Sequence, residues 1–224
     1  MMKSRAWTCA TLVAAAVLLC DPGTAIGGVV YSNDFEGVVG SQWSHSTTSV
    51  TPRGARGFLG EFVNDTVRLT LNGLAPHAEA TVSVELFILK TWDGNATGGD
   101  VWNLSVAGGQ VLLNTTFSQH VNSFRQAYPD WYPGGDHPRR TGADEINTLG
   151  GYSHGDSVYY LSFTFPHTSN ALEFAFSANG LEPDGNETWG LDNIVVSTIV
   201  PEPTTLTLAT LGLISFAARW RRLR

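Results

Sequence analysis

Thr81-Val82-Ser83-Val84-Glu85-Leu86-Phe87-Ile88-Leu89 alternates apolar with polar side chains and then becomes continuously apolar. Period two sends successive side chains to opposite faces of an extended strand, so this stretch reads as β. The same signal recurs on both sides of it. Val67-Arg68-Leu69-Thr70-Leu71 alternates and stops at Asn72-Gly73, and Trp102-Asn103-Leu104-Ser105-Val106 runs into Gly108-Gly109, beyond which Val111-Leu112-Leu113 resumes. Further on come Val158-Tyr159-Tyr160-Leu161-Ser162-Phe163-Thr164-Phe165, Leu172-Glu173-Phe174-Ala175-Phe176-Ser177 and Ile194-Val195-Val196. Short runs rich in Val, Thr, Phe and Tyr, punctuated by Gly, Pro, Asn and Asp, predict an all-β fold, an antiparallel β-sandwich. No helical period longer than a turn interrupts them. No internal repeat or linker divides residues 26–198, which are one domain's worth of chain.

The two ends read differently. Lys3 and Arg5 precede an apolar stretch over residues 9–20, and Gly23-Thr24-Ala25 supplies small residues at a cleavage point, the layout of a secretory signal peptide over 1–25. A lipidated Cys20 is disfavoured by the bulk of Leu19. Both cysteines fall in this segment, so the mature chain holds no disulfide and no cysteine metal site. At the other end Pro201-Glu202-Pro203 leads into an apolar run from Leu206 to Ala218, and Arg219-Trp220-Arg221-Arg222-Leu223-Arg224 closes the chain. The run is shorter than the roughly 20 residues of an ordinary spanning helix, but with snorkelling arginines it reaches across a thin bilayer. The basic end stays cytoplasmic and puts the preceding domain outside. The order Pro-Glu-Pro, apolar run, arginine cluster resembles the PEP-CTERM sorting signal. That resemblance covers residues 199–224 and implies a membrane-held precursor with a short transmembrane helix. It also implies processing by an exosortase near Pro201, Glu202 and Pro203, then delivery to the cell surface or extracellular matrix.

Between the ends, seven Lys or Arg stand against eighteen Asp or Glu, a net charge of −11, which the whole-chain value of −7 conceals. So acidic a domain is repelled by nucleic acid and anionic lipid and invites cations.

The mature chain opens on Tyr31-Ser32-Asn33-Asp34-Phe35-Glu36-Gly37 and closes on Trp189-Gly190-Leu191-Asp192-Asn193-Ile194-Val195-Val196. The pair resembles the termini of jelly-roll domains such as MAM domains and several carbohydrate-binding modules. The resemblance implies first and last strands side by side and a structural calcium (Ca2+). Its ligands would be Glu36 and Asp192, with Asp34 and Asn193 next as ligands or supporting neighbours. In the other reading, Asp34 and Asp192 only end strands and accept turn amides.

Two further acidic loops have calcium-type oxygens: Thr91-Trp92-Asp93-Gly94-Asn95 with Asp100, and Glu182-Pro183-Asp184-Gly185-Asn186-Glu187. Neither has EF-hand spacing, and Asp-Gly is an ordinary hairpin signal, so both are expected to be solvated turns. Residues 119–151 carry no strand pattern but hold Tyr128, Trp131 and Tyr132 among Asp130, Asp136, Arg139 and Arg140. A loop this long in a compact domain is functional or disordered, and three aromatics argue for packing. It is expected to be a flap over the open end of the sandwich. If a sugar binds, the ligand-binding residues are Trp131, Tyr128, Tyr132 and Trp92.

Catalytic patterns are lacking. There is no Gly-x-Ser-x-Gly elbow, no His-Glu-x-x-His, and no closely spaced carboxylates on one strand as in jelly-roll glucanases. His154, Asp156 and Ser157 are neighbours in sequence, but adjacency on a turn is not triad geometry. Five Asn-x-Ser/Thr sites, at Asn64, Asn95, Asn103, Asn114 and Asn186, reflect an Asn/Thr-rich composition in an exported bacterial chain. The expectation is a calcium-stabilised surface protein, structural or adhesive and not an enzyme. A module recognising extracellular polysaccharide is the alternative, and a glycoside hydrolase a third reading.

Overall fold

A computed structural model describes residues 26–200. The signal peptide expected over 1–25 and the sorting segment expected over 199–224 lie outside the described residues, except for Ile199 and Val200. Residues 26–200 contain both hydrophobic cores and form a compact unit, so this segment folds on its own.

The strands in chain order are β1 (Ile26–Asn33), β2 (Thr48–Val50), β3 (Gly57–Phe62), β4 (Thr66–Asn72), β5 (Glu79–Lys90), β6 (Val101–Val106) and β7 (Gln110–Thr116). After them come β8 (Arg125–Gln126), β9 (His137–Pro138), β10 (Glu145–Ile146), β11 (Asp156–Pro166), β12 (Ala171–Asn179) and β13 (Glu187–Val200). A single 3-10 turn at Ala96–Gly98 is the only helical element among the described residues. One large sheet runs β10-β11-β5-β13-β3-β2, with β1 also paired to β13, a second runs β4-β12-β6-β7, and β8 and β9 form a short ribbon of their own. All pairings are antiparallel, and the two sheets make a jelly-roll sandwich.

Alternation sets the packing. Ala80, Val82, Val84, Leu86 and Ile88 of β5 face the main core together with Leu104, Phe174, Phe176, Leu191 and Trp189. Burial of each such side chain contributes roughly 1.5–3 kcal/mol. The uninterrupted apolar end of β5 has its own cause. Phe87 and Leu89 pack on the outer face in a second small core with Phe58, Leu149 and Val158, so this part of the strand is covered on both sides. Farther along that face the cover ends, and Ser83–Ser162 and Thr81–Thr164 form exposed hydroxyl pairs at 2.8 Å.

β13 is the spine of the large sheet. On one side it pairs with β5 along most of its length. On the other, Trp189–Leu191 pair with β3 and Ile194–Val200 with β1. The handover falls at a bulge after Asp192, where Asn193 takes φ +46°. The first and last strands are therefore neighbours, as the terminal resemblance implies.

Candidate functional site

Asp192 precedes that bulge and is buried, at 2% exposure. Its Oδ1 accepts the Asn193 amide at 2.7 Å, and its Oδ2 accepts Arg56 Nη2 at 3.2 Å. Arg56 lies over the Phe87 ring, 4.8 Å from its centroid, and also pairs with Glu85 and with Glu145, the latter at 3.3 Å. Burial raises the Asp192 carboxyl pKa to about 6 against the opposing pull of the Asn193 amide and Arg56. Glu36 is exposed, and its Oε1 accepts the Gly57 amide at 2.7 Å. Asp34 Oδ1 accepts the Glu36 amide at 3.3 Å. Glu36 and Asp192 thus both reach the Arg56–Gly57 segment, while Asp34 and Asn193 line one surface pocket of about 390 Å³ with Asn33, Val38 and Ile194. Four of the carboxylate oxygens involved are held by protein donors, and the positive charge facing Asp192 is a guanidinium. This donor set fits a calcium ion poorly.

The two acidic loops are not separate solvated turns. Asp100 and Glu187 are buried, at 4% and 0% exposure, and the loops meet. Gly180, at φ +95°, lies so close to the Gly99 carbonyl that a Cβ there would come within 2.3 Å of it. Asp100 Oδ2 accepts the Asp93 and Gly94 amides and shapes the first loop. Glu187 Oε2 accepts the Glu182 amide at 3.1 Å and shapes the second. Carboxylate oxygens of Asp93, Glu182 and Glu187 converge to within 4.8 Å of one another. Asp93 Oδ1 and Glu187 Oε1 are buried without a hydrogen-bond partner. His120 Nδ1 lies 3.5 Å from Asp93 Oδ1, while Lys90 is engaged by Glu61 and the Gly185 carbonyl. Burial first, and neighbouring carboxylates with it, raise the pKa of Asp93, Asp100 and Glu187. Two like charges about 5 Å apart repel by roughly 3 kcal/mol at an effective dielectric constant of 20. Asp-Gly-Asn in both loops was the available signal. What the sequence could not show is that the 79 residues from 101 to 179 return one loop to the other.

The aromatic candidates part company. Trp92 is fully buried, its Nε1 donating to the Thr188 carbonyl at 2.9 Å, so it belongs to the core and offers no face to a ligand. Tyr128 is half-buried against Phe117 and Tyr159, capping the end of the core as a flap does. Tyr132 is also half-buried and lays its ring on Gly99. Trp131 alone is turned outward, at 51% exposure. Its backbone is fixed against β7. Tyr132 N donates to the Asn114 carbonyl (2.9 Å), Asn114 Nδ2 to the Tyr132 carbonyl (3.0 Å) and Thr115 Oγ1 to the Asp130 carbonyl (2.7 Å). Next to it Asp130 Oδ2 meets His137 Nε2 at 2.8 Å.

Four of the six histidines, scattered in sequence, pair in space: His77 with His167 and His120 with His154. Around His154 the three sequence neighbours diverge. His154 Nδ1 contacts Ser153, Asp156 accepts the Leu149 and Gly150 amides, and Ser157 Oγ donates to Gln119.

Residues 200–222 match the family described as the PEP-CTERM protein-sorting motif. The chain therefore carries an exosortase sorting signal and is an exported surface protein. No curated protein matches the sequence. Among solved structures, a family GH115 4-O-methyl-alpha-glucuronidase with specificity for decorated arabinogalactans is similar at 10% identity and TM-score 0.38, over 75% of this chain and 17% of that one. The K3 cleaved adhesin domain of Lys-gingipain from Porphyromonas gingivalis is similar at 13% identity and TM-score 0.38, over 76% and 100%. A carbohydrate-binding module with specific mannan recognition is similar at 14% identity and TM-score 0.38, over 78% and 99%. A shared sandwich at such scores does not transfer a function.

Proposed function

We propose that the domain over residues 26–200 is a non-catalytic adhesive module of the cell surface or extracellular matrix, and that its contact is made at the Trp131 corner. The observation behind this reading is the outward indole on a backbone pinned to β7 by three hydrogen bonds. A rigid aromatic anchor loses little conformational entropy on binding, and its amphipathic ring suits a surface with both apolar C–H faces and hydroxyls. Polysaccharide has that chemistry. With a domain charge of −11, neutral polysaccharides are favoured over acidic ones.

Affinity electrophoresis of residues 26–200 through gels containing neutral polysaccharides tests this. Retardation is expected with at least one of them, and Trp131→Ala is expected to weaken it about ten- to a hundredfold while leaving the circular dichroism spectrum unchanged. Retardation by none removes the glycan reading, and undiminished retardation of the variant moves the contact elsewhere. No reducing ends should be released from any retarding polysaccharide. Steady release would make the protein a hydrolase.

A further inference from the structure

Among the described residues, one group of three or more metal-ligating side chains converges, and it includes neither Trp131 nor any of the terminal acidic residues. We propose that Asp93, Glu182 and Glu187, backed by Asp100, bind one calcium ion that ties the 91–100 loop to the 180–187 loop.

Four observations carry the assignment. The three carboxylates converge within 4.8 Å and none of them pairs with a Lys or Arg. Glu187 is completely buried, yet its Oε1 has no hydrogen-bond partner, while the buried Asp93 Oδ1 has only His120 Nδ1 near it, at 3.5 Å. A buried acceptor left unmatched is costly unless something occupies it. The backbone is built around the group. Asp100 holds the Asp93 and Gly94 amides, Glu187 holds the Glu182 amide, and Gly180 allows the loops their close approach. Finally, Glu182 is exposed while Glu187 is buried, so the site opens to solvent on one side and an ion has a route in.

The donors choose the ion. All are carboxylate oxygens, the domain contains no cysteine, and the nearest imidazole faces Asp93 as its partner. Hard cations take such sets, and irregular loops suit the variable coordination of calcium better than the strict octahedron of magnesium. Remaining positions would be filled by water, which the open side admits.

Terbium supplies the direct probe, because Trp92 precedes Asp93 and Trp189 follows shortly after Glu187. Excitation of tryptophan in residues 26–200 should sensitise terbium emission that calcium displaces. In parallel, thermal unfolding in millimolar calcium should lie above that in chelator, on the order of 5 °C for an ion at a hundredfold its Kd. Glu187→Gln should abolish the emission and the shift. In chelator it should melt no lower than the wild type, because a neutral amide replaces a carboxyl that burial and its acidic neighbours already disfavour as an anion. Asp93→Asn should act likewise, and Asp192→Asn should keep the shift. Equal melting of the wild type with and without calcium, together with dark terbium, overturns the proposal, since the carboxylates are then neutralised by protons. So does a shift that survives in Glu187→Gln, or one that disappears only in Asp192→Asn.

Discussion

Asp192 and Glu187 are acidic residues buried on the same strand, and their surroundings treat them in opposite ways. Asp192 has Arg56 against one oxygen and a backbone amide against the other. Glu187 has an amide on one oxygen and nothing on the second. The contrast is invisible in the sequence, where both are carboxylates among β-formers. It depends on which distant residue each meets, and only the folded register supplies that.

Another residue pair shows the same dependence. His77 Nδ1 lies 2.7 Å from the Ala75 carbonyl and must donate to it, so in the neutral ring Nε2 accepts from His167 Nδ1, also at 2.7 Å. Burial and the facing His77 lower the His167 pKa. A group that binds its proton less tightly when folded contributes stability above its unfolded pKa and loses it as pH falls towards the folded value. Unfolding free energy should therefore decline as pH drops below about 6.5. His167→Gln should flatten that part of a urea-denaturation series, and an unchanged slope would remove the pair as its cause.

At the level of elements, the alternating strands were legible. The predicted cores of β4, β5, β6, β11 and β12 all fall inside observed strands, because one buried and one solvated face imprint a period of two. β3 escaped for the complementary reason. Gly57-Phe58-Leu59-Gly60-Glu61-Phe62 is covered on both faces, since Phe58 serves the outer core and Leu59 the inner one. Two-sided cover erases the alternation. The flap over residues 119–151 was legible as a packed loop through its aromatics, but not the division of labour among them. Tyr128→Ala should cost about 2 kcal/mol by uncovering Phe117 and Tyr159, while Trp131→Ala should stay within about 0.5 kcal/mol. Urea titration of the two variants checks this, and equal losses would mean that Trp131 is structural.

For the whole domain, the dominant quantity is its charge of −11. Self-repulsion on this scale destabilises the compact state and is screened by salt. In chelator, the melting temperature should rise with sodium chloride concentration. A flat or falling dependence would show that the local ion pairs, Arg56 with its three carboxylates chief among them, outweigh the global field. The domain should also pass unretained through heparin at low salt.

β13 ends at Val200, where it pairs with Ile26, and the sorting motif begins at that same residue. Tension arriving through the C-terminus would enter directly into the central strand of the large sheet, where β1 and β5 grip it from either flank. To extract that strand, two hydrogen-bonded ladders must slide together, and the molecule would hold under a pull that peels away a domain tethered by an edge.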